Sequence, residues 1–400
     1  MTGYRQVLTV PGLASLLCVS LLARTAITAD VMALTLYVVL GLNLSYVAAG
    51  GITAALTAGV ALGGPLLGRL IDARGVRTVL LLTILAQVAF WASVPFLPYA
   101  VLLPAALLAG LLMVPAQSVT RQAITATVPA GRRRAAFALE SVQGELSYII
   151  GPALVILGAA TLSPDVMAWV VGATIVAGGA GIALLNPPVR SDGERTATRI
   201  PRRRWLRSGM IAALIMAFGA TTLLSGVDLA IVATLRESGQ VSWAAVVVVV
   251  FGVCSIAGGL VHGALTRPLP TWLLLALLGM LTIPAALAHD WRWLCVAVVG
   301  AGLLTAPTLA TVADSVSRLA PAGVRGEATG LQSSAQSAGF ALGSPLVGAA
   351  IDLTVPAGGF VTAGLAGLIA AVIGYALSRR TRAGTGTPPA ADTRQAMVHL

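Results

Sequence analysis

Gly68-Arg69-Leu70-Ile71-Asp72-Ala73-Arg74-Gly75-Val76-Arg77 is a charged break between two long apolar runs. Gly68 and Gly75 permit close approach and a sharp turn, and Asp72 is placed to sit near a helix N-terminus. Arg69, Arg74 and Arg77 hold such a turn at an anionic membrane face. A tight connection between two membrane helices accounts for this spacing.

The composition outside the break agrees. The chain has 400 residues, 57% of them hydrophobic and 10% charged, with mean hydropathy +0.92. Those values belong to an integral membrane protein. At roughly 20 apolar residues per span, the length supplies about 12 helices. Barrel-type alternation is absent and unbroken apolar runs recur, so helices satisfy the backbone in lipid. The net charge of +11 comes from a set of basic residues that are all arginine. Most of them lie in alternate loops, which reads as membrane topology and not as a nucleic-acid surface. The G-x-x-x-x-G-K phosphate loop is missing, and with no lysine to complete it this chain alone is not expected to use ATP. Cys18, Cys254 and Cys295 fall in apolar runs without metal-ligand spacing and read as buried, unpaired thiols. No metal, cofactor or catalytic triad is expected, so an enzyme is not the reading.

Twelve spans are expected, near 12–39, 46–70, 78–97, 101–126, 136–160, 165–185, 208–235, 242–266, 271–288, 293–317, 327–352 and 357–378. They divide into an N-terminal six-helix bundle (1–185), an arginine-rich linker (186–207), a C-terminal six-helix bundle (208–380) and a disordered tail (381–400). The stretch from Val7 to Leu22 imitates a signal peptide but runs on past Arg24 to Leu40. Arg5, the Gly68–Arg77 break, Arg132 to Arg134, the linker, Arg267, Arg318, Arg325 and the tail arginines share one side; only Arg236 and Arg292 take the other. Both termini are therefore predicted cytoplasmic, in a bacterial inner membrane.

The halves repeat. Gly110-Leu111-Leu112 with Pro115 recurs as Gly302-Leu303-Leu304 with Pro307, and Pro129-Ala130-Gly131 as Pro321-Ala322-Gly323. At the same offset Arg133, Leu139, Ser141 and Gly151 recur as Arg325, Leu331, Ser333 and Gly343. Gly64 and Gly68 similarly match Gly259 and Gly263. This is a parallel repeat of six plus six helices. Close-spaced glycines in spans 2, 5, 8 and 11 let backbones approach in lipid.

The pattern G-x-L-x-D-x-x-G-x-R, running on to Leu80, resembles the signature between helices 2 and 3 of the major facilitator superfamily. Arg121, Ala136 to Ser141, Glu145 to Tyr148 and Gly151 to Leu154 look like an actinobacterial subgroup of that family. The resemblance implies an all-α membrane protein of twelve transmembrane helices in two bundles, in which helices 1, 4, 7 and 10 line a central cavity. Two signatures depart from the family pattern. Ala123 to Thr127 holds no glycine after Arg121, and Gly151-Pro152 is followed by Ala153-Leu154-Val155 in place of paired glycines.

Charges within spans carry the functional reading, since each costs roughly 2.5–3.5 kcal/mol on insertion scales. Spans 3, 6, 9 and 12 have uncharged interiors, whereas Arg24, Asp30, Arg121, Glu140, Glu145, Asp228 and Asp314 lie in spans 1, 4, 5, 7 and 10. Glu145 is about 15 Å into span 5, where a carboxylate is a candidate proton carrier. Glu140 and Arg121 share a depth of about 8–9 Å from the inner face and are placed to pair. Asp314 precedes Arg318 by one helical turn and reads as a local ion pair. Asp30 and Asp228 correspond approximately under the repeat, with Arg24 near one of them. His262 and His289 read as packed or solvated.

The expected function is secondary transport: proton-coupled export of a small amphipathic or drug-like compound by a monomer embedded in lipid. A proton symporter importing a sugar or metabolite is the alternative, with few cavity Asn and Gln for hydroxyl-rich substrates. A non-transporting receptor or scaffold on the same fold is the third. The asymmetry of the opening stretch adds a gate, because Arg267 stands where the second half would match Asp72. Gly68, Asp72, Arg74, Gly75 and Arg77 are the expected latch, with Asp72 meeting a helix end or charges of the other half.

Overall fold

The computed structural model describes residues 2–159, 161–190, 200–265 and 269–384, and every regular element among them is helical. The N-terminal half contains α1 (Thr2–Leu8), α2 (Leu13–Leu36), α3 (Tyr46–Arg74), α4 (Val76–Ser93), α5 (Tyr99–Leu111), α6 (Ala116–Thr127), α7 (Arg133–Gly158) and α8 (Pro164–Leu185). The linker carries α9 (Arg202–Trp205). The C-terminal half contains α10 (Ser208–Glu237), α11 (Ala244–Ala264), α12 (Thr271–Thr282), α13 (Trp291–Leu319), α14 (Arg325–Leu353) and α15 (Pro356–Gly384).

Ten helical segments are long and apolar enough to cross a membrane. Thr271–Leu287 and the more polar α14 complete the twelve crossings. α14 is rich in Gly, Ser and Gln because it packs along α3 and α10 instead of facing lipid alone. The short helices α1 and α9 were not among the expected spans. The span expected to end at 378 continues in α15 to Gly384, and most of the expected tail, like Arg267, lies outside the described residues. Cys18 is exposed, not buried, and Cys254 and Cys295 are half-buried.

The two largest apolar cores lie one in each half, from residues between Leu16 and Ala183 and from residues between Ala212 and Ala371, with two smaller ones beside them. The parallel repeat is visible in their packing. A Cβ on Gly63 would collide with the Leu111 carbonyl, and one on Gly258 with the matching Leu303 carbonyl. A Cβ on Gly151 would strike the Thr25 carbonyl, and one on Gly343 the Thr222 carbonyl. Equivalent glycines thus seat equivalent helices, as small residues do where lipid supplies no hydrophobic drive.

The backbone departs from the repeat in span 4. Span 4 is expected to be continuous but divides at Leu112–Pro115 into α5 and α6, whereas α13 runs unbroken through Pro307. Pro115 lacks a backbone donor and leaves carbonyls unpaired, which lipid does not solvate. Gln87 of α4, fully buried, donates to the carbonyls of Ala109 and Leu112 at 2.9 and 3.2 Å and accepts from the Trp91 indole at 3.1 Å. One buried amide therefore makes the break tolerable.

Candidate functional site

One charged cluster is assembled by α2, α6 and α7. On α7, residues Glu140, Gly144, Ser147 and Gly151 recur at helical spacing and face α2. Glu140 is fully buried and holds two arginines: Arg24 Nη1 at 2.5 Å and Arg121 Nε at 3.2 Å. Arg121 also donates to Gln336 Oε1 of α14 at 3.1 Å, crossing between the halves. Arg24 therefore pairs with Glu140 and not with Asp30 or Asp228, because Gly144 leaves its guanidinium room: a Cβ there would lie 2.6 Å from Arg24 Nη2. Thr28 donates to the Ser147 carbonyl at 2.6 Å and fastens α2 to α7 just above.

The adjacent face of α7 carries Glu145 and Tyr148 toward the other half. The charged neighbours of Glu145 are Asp228 and Arg24, and Ser255 of α11 lies beside its carboxylate. Tyr148 donates to Asp228 Oδ2 of α10 at 2.7 Å and packs edge-on against Phe340 of α14, ring centroids 5.9 Å apart. Sequence reasoning singled out neither Tyr148 nor Gln336 as site residues. The signal for Tyr148 is positional, since it lies one helical turn beyond Glu145, whereas Gln336 is marked only by its contact with Arg121.

Asp30 and Asp228 do not occupy equivalent positions. Counting from Thr25 and Thr222, which seat equivalent glycines, Asp30 falls opposite Val227 and Asp228 opposite Val31. One residue is a rotation of about 100° on a helix. Asp30 accordingly points into the bundle of the first half, 3% exposed and without an ion-pair partner among the described residues, whereas Asp228 meets Tyr148 across the halves. The remaining expected ion pair is local: Arg318 meets Asp314 at 2.5 Å. His262 is buried against the Thr311 hydroxyl at 3.2 Å.

A second cluster closes the face that bears α1 and the end of α15. Asp72 accepts from the backbone N–H of Gly326 at 2.9 Å and of Glu327 at 2.8 Å, the first turn of α14. Helix N-termini leave these donors unpaired and carry partial positive charge, so a carboxylate fits both needs. Gly68 makes the approach possible, since a Cβ there would strike the Gly326 carbonyl. Gly75, at φ 85°, turns the chain from α3 into α4. Glu327 is met by Arg69 at 2.9 Å and by Arg202 of the linker, and Arg190 donates to the Asp72 carbonyl at 2.8 Å. Arg74 and Arg77 stand apart from this latch, exposed and without an ion pair to any described residue. The linker arginines take the places expected of them. Glu327 was not anticipated, although a carboxylate in the first turn of a span, next to Arg325 and Gly326, is a legible mark.

These contacts, with Tyr4 Oη donating to the Leu260 carbonyl at 2.5 Å, Ser118 bonded to Thr329 at 2.8 Å and Thr125 to Ser317 at 2.7 Å, hold the halves together on that face. Groups of three or more potential metal ligands do not occur among the described residues.

Solved structures share this arrangement. The chain superposes on a bacterial homologue of the iron transporter ferroportin in an outward-facing state with TM-score 0.74, at 16% identity, over 92% of this chain and 100% of that one. The human organic anion transporter MFSD10 (TETRAN) matches with TM-score 0.69 and 16% identity, covering 93% and 99% of the two chains. A proton:xylose symporter, XylE, matches with TM-score 0.69 and 13% identity, covering 91% and 95%. At these identities the likeness is one of fold. No curated protein matches the sequence significantly. The family model of the Major Facilitator Superfamily matches residues 16–289 and 209–399. With twelve helices in a parallel repeat and a family model spanning nearly its whole length, the chain belongs to the Major Facilitator Superfamily, a family of transporters and not of enzymes.

Proposed function

We propose that the protein is a proton-coupled exporter of a small amphipathic compound, working by alternating access between its two bundles in a bacterial inner membrane with both termini cytoplasmic. The observation that carries the coupling is Glu145, a carboxylate at mid-depth on the face of α7 turned to the other half, with Asp228, Arg24 and Ser255 as neighbours. Unlike Glu140, it has no salt bridge among the described residues. Gain or loss of its proton changes the charge presented between the bundles, and an uncompensated carboxylate at that depth is costly, so each protonation state favours a different arrangement of the halves. In the arrangement described here the terminal face is shut by the Asp72 latch, and opening it requires the carboxylate to leave the α14 N-terminus.

Expected outcome: in proteoliposomes with an imposed pH gradient, Glu145→Gln abolishes gradient-driven flux while counterflow of unlabelled against labelled substrate persists. Flux unchanged under the gradient removes the coupling assignment. Counterflow in vesicles of known orientation separates export from a symporter that imports a metabolite.

A further inference from the structure

The triad at the base of the inter-half space is not neutral. Two guanidiniums share one carboxylate, Glu140, and the second acceptor supplied to Arg121 is the uncharged Gln336 amide. Each arginine has five donors in a fixed fork. Nη1 of Arg24 serves Glu140, and Nε and Nη1 of Arg121 serve Glu140 and Gln336; the Nη2 group of both arginines has no hydrogen bond to a described residue. Neither Glu145 nor Asp228 forms an ion pair with these arginines among the described residues: Glu145 lies beside Ser255, with Arg24 a more distant charged neighbour, and Asp228 accepts from the Tyr148 hydroxyl, both contacts running across the halves.

Above the triad stands an apolar shelf. Tyr148 and Phe340 meet edge-on from α7 and α14, on opposite halves, and are 39% and 40% exposed although each touches the other across the bundle interior. Tyr148 is four residues beyond Gly144, over which Arg24 lies, and Phe340 is four beyond Gln336. Four residues of helix rise about 6 Å, the length of an aromatic ring bearing a carboxylate.

We propose that this is the substrate subsite and that it selects an amphipathic organic anion: a carboxylate or sulfonate seated on the unengaged Nη2 donor of Arg24, whose side chain is 14% exposed, beside the buried Arg121, with an apolar or aromatic body against Tyr148 and Phe340. The two parts divide the work in the usual way, a charge-assisted fork for orientation and an aromatic surface for contact area. Gly144 is the enabling residue, since any side chain there displaces the Arg24 guanidinium. The inference rests on the transporter reading but not on proton coupling.

The test is calorimetric binding to the full chain in nanodiscs of three probes alike in shape, 2-naphthoate, 2-naphthamide and 2-naphthylmethylamine. The expected result is binding of the naphthoate at least about 30-fold tighter than of either other probe, as for a hydrogen-bonded charge pair lost on binding the neutral one. Arg24→Gln is expected to erase that preference, and Phe340→Ala to weaken the naphthoate while keeping it. Equal binding of all three probes, no binding of any, or a preference for the amine overturns the proposal, and so does an intact preference in Arg24→Gln. Because the wild-type series needs no variant, a folding defect in Arg24→Gln does not decide the outcome. Anion-selective binding together with flux indifferent to a pH gradient leaves this subsite standing and removes only the coupling assignment.

Discussion

Two long crossings join the halves, α3 on α14 and α7 on α11, and the repeat makes them equivalent, yet they are built differently. On the first, Gly64 and Gly68 face Gly330 and Gly326, so backbone meets backbone. On the second, Gly259 and Gly263 face Val142 and Ala138, and side chains intervene. The ends differ in sign. Asp72 accepts from the first turn of α14, whereas Arg134 donates to the Leu265 carbonyl at the end of α11 at 2.5 Å. Each charge suits the helix end it meets, since N-termini favour anions and C-termini favour cations. A duplicated path thus carries opposite caps, and the tighter one bears the family signature. The same one-sidedness separates Glu140, which holds two arginines, from its counterpart Gln332, fully buried with an amide that has no hydrogen-bond partner among the described residues.

The largest expected effect breaks this last contrast. Glu140→Gln leaves the buried Arg121 and the half-buried Arg24 facing a neutral amide and costs about 3–5 kcal/mol, as loss of one partner of a buried pair does. Gln332→Met removes an unsatisfied amide at similar volume and stays within about 1.5 kcal/mol of wild type. Thermal unfolding of both variants in one detergent measures the difference; equal losses mean the two positions are alike. Next comes the backbone contact. Gly68→Ala drives a Cβ into the Gly326 carbonyl, overpacks α3 on α14 and destabilises the closed terminal face by about 1–3 kcal/mol, while Gly263→Ala meets side chains, the Ala138 Cβ at 2.6 Å and the Tyr4 hydroxyl, and disturbs the face less. Spin-label distances across that face should lengthen more in the first variant than in the second, and the reverse order refutes the ranking. The smallest effect concerns the caps. Asp72→Asn weakens the α14 cap by about 1–2 kcal/mol and lowers turnover more than substrate binding, whereas Arg134→Gln, on an exposed contact, costs below about 1 kcal/mol. Normal turnover in Asp72→Asn reduces the loop to a topology signal.

Much of the fold was legible because lipid imposes a simple rule. Apolar length and arginine sidedness are properties of the chain itself, and the recurrence of Gly110 to Pro115 as Gly302 to Pro307 needs no coordinates. The site was legible in part. Arg121 and Glu140 share a depth that can be counted along two helices, and they pair. Depth says nothing about rotation, however, and so the partner of Arg24 and the separate orientations of Asp30 and Asp228 were missed. The break at Pro115 was missed for a related reason: the amide that permits it, Gln87, lies on another helix.

The sequence by itself determined that this chain spans a membrane with helices, that it is a parallel duplication, and which residues put charge into the hydrocarbon. These follow from composition and period, which are local. Tertiary structure alone decided which charges meet, that Asp72 is answered by the N-terminus of α14 and by linker arginines in place of Arg74 and Arg77, and that two arginines share one glutamate beneath an aromatic shelf. Those outcomes depend on helix rotation and on backbones brought together at glycines, and no spacing along one chain encodes them.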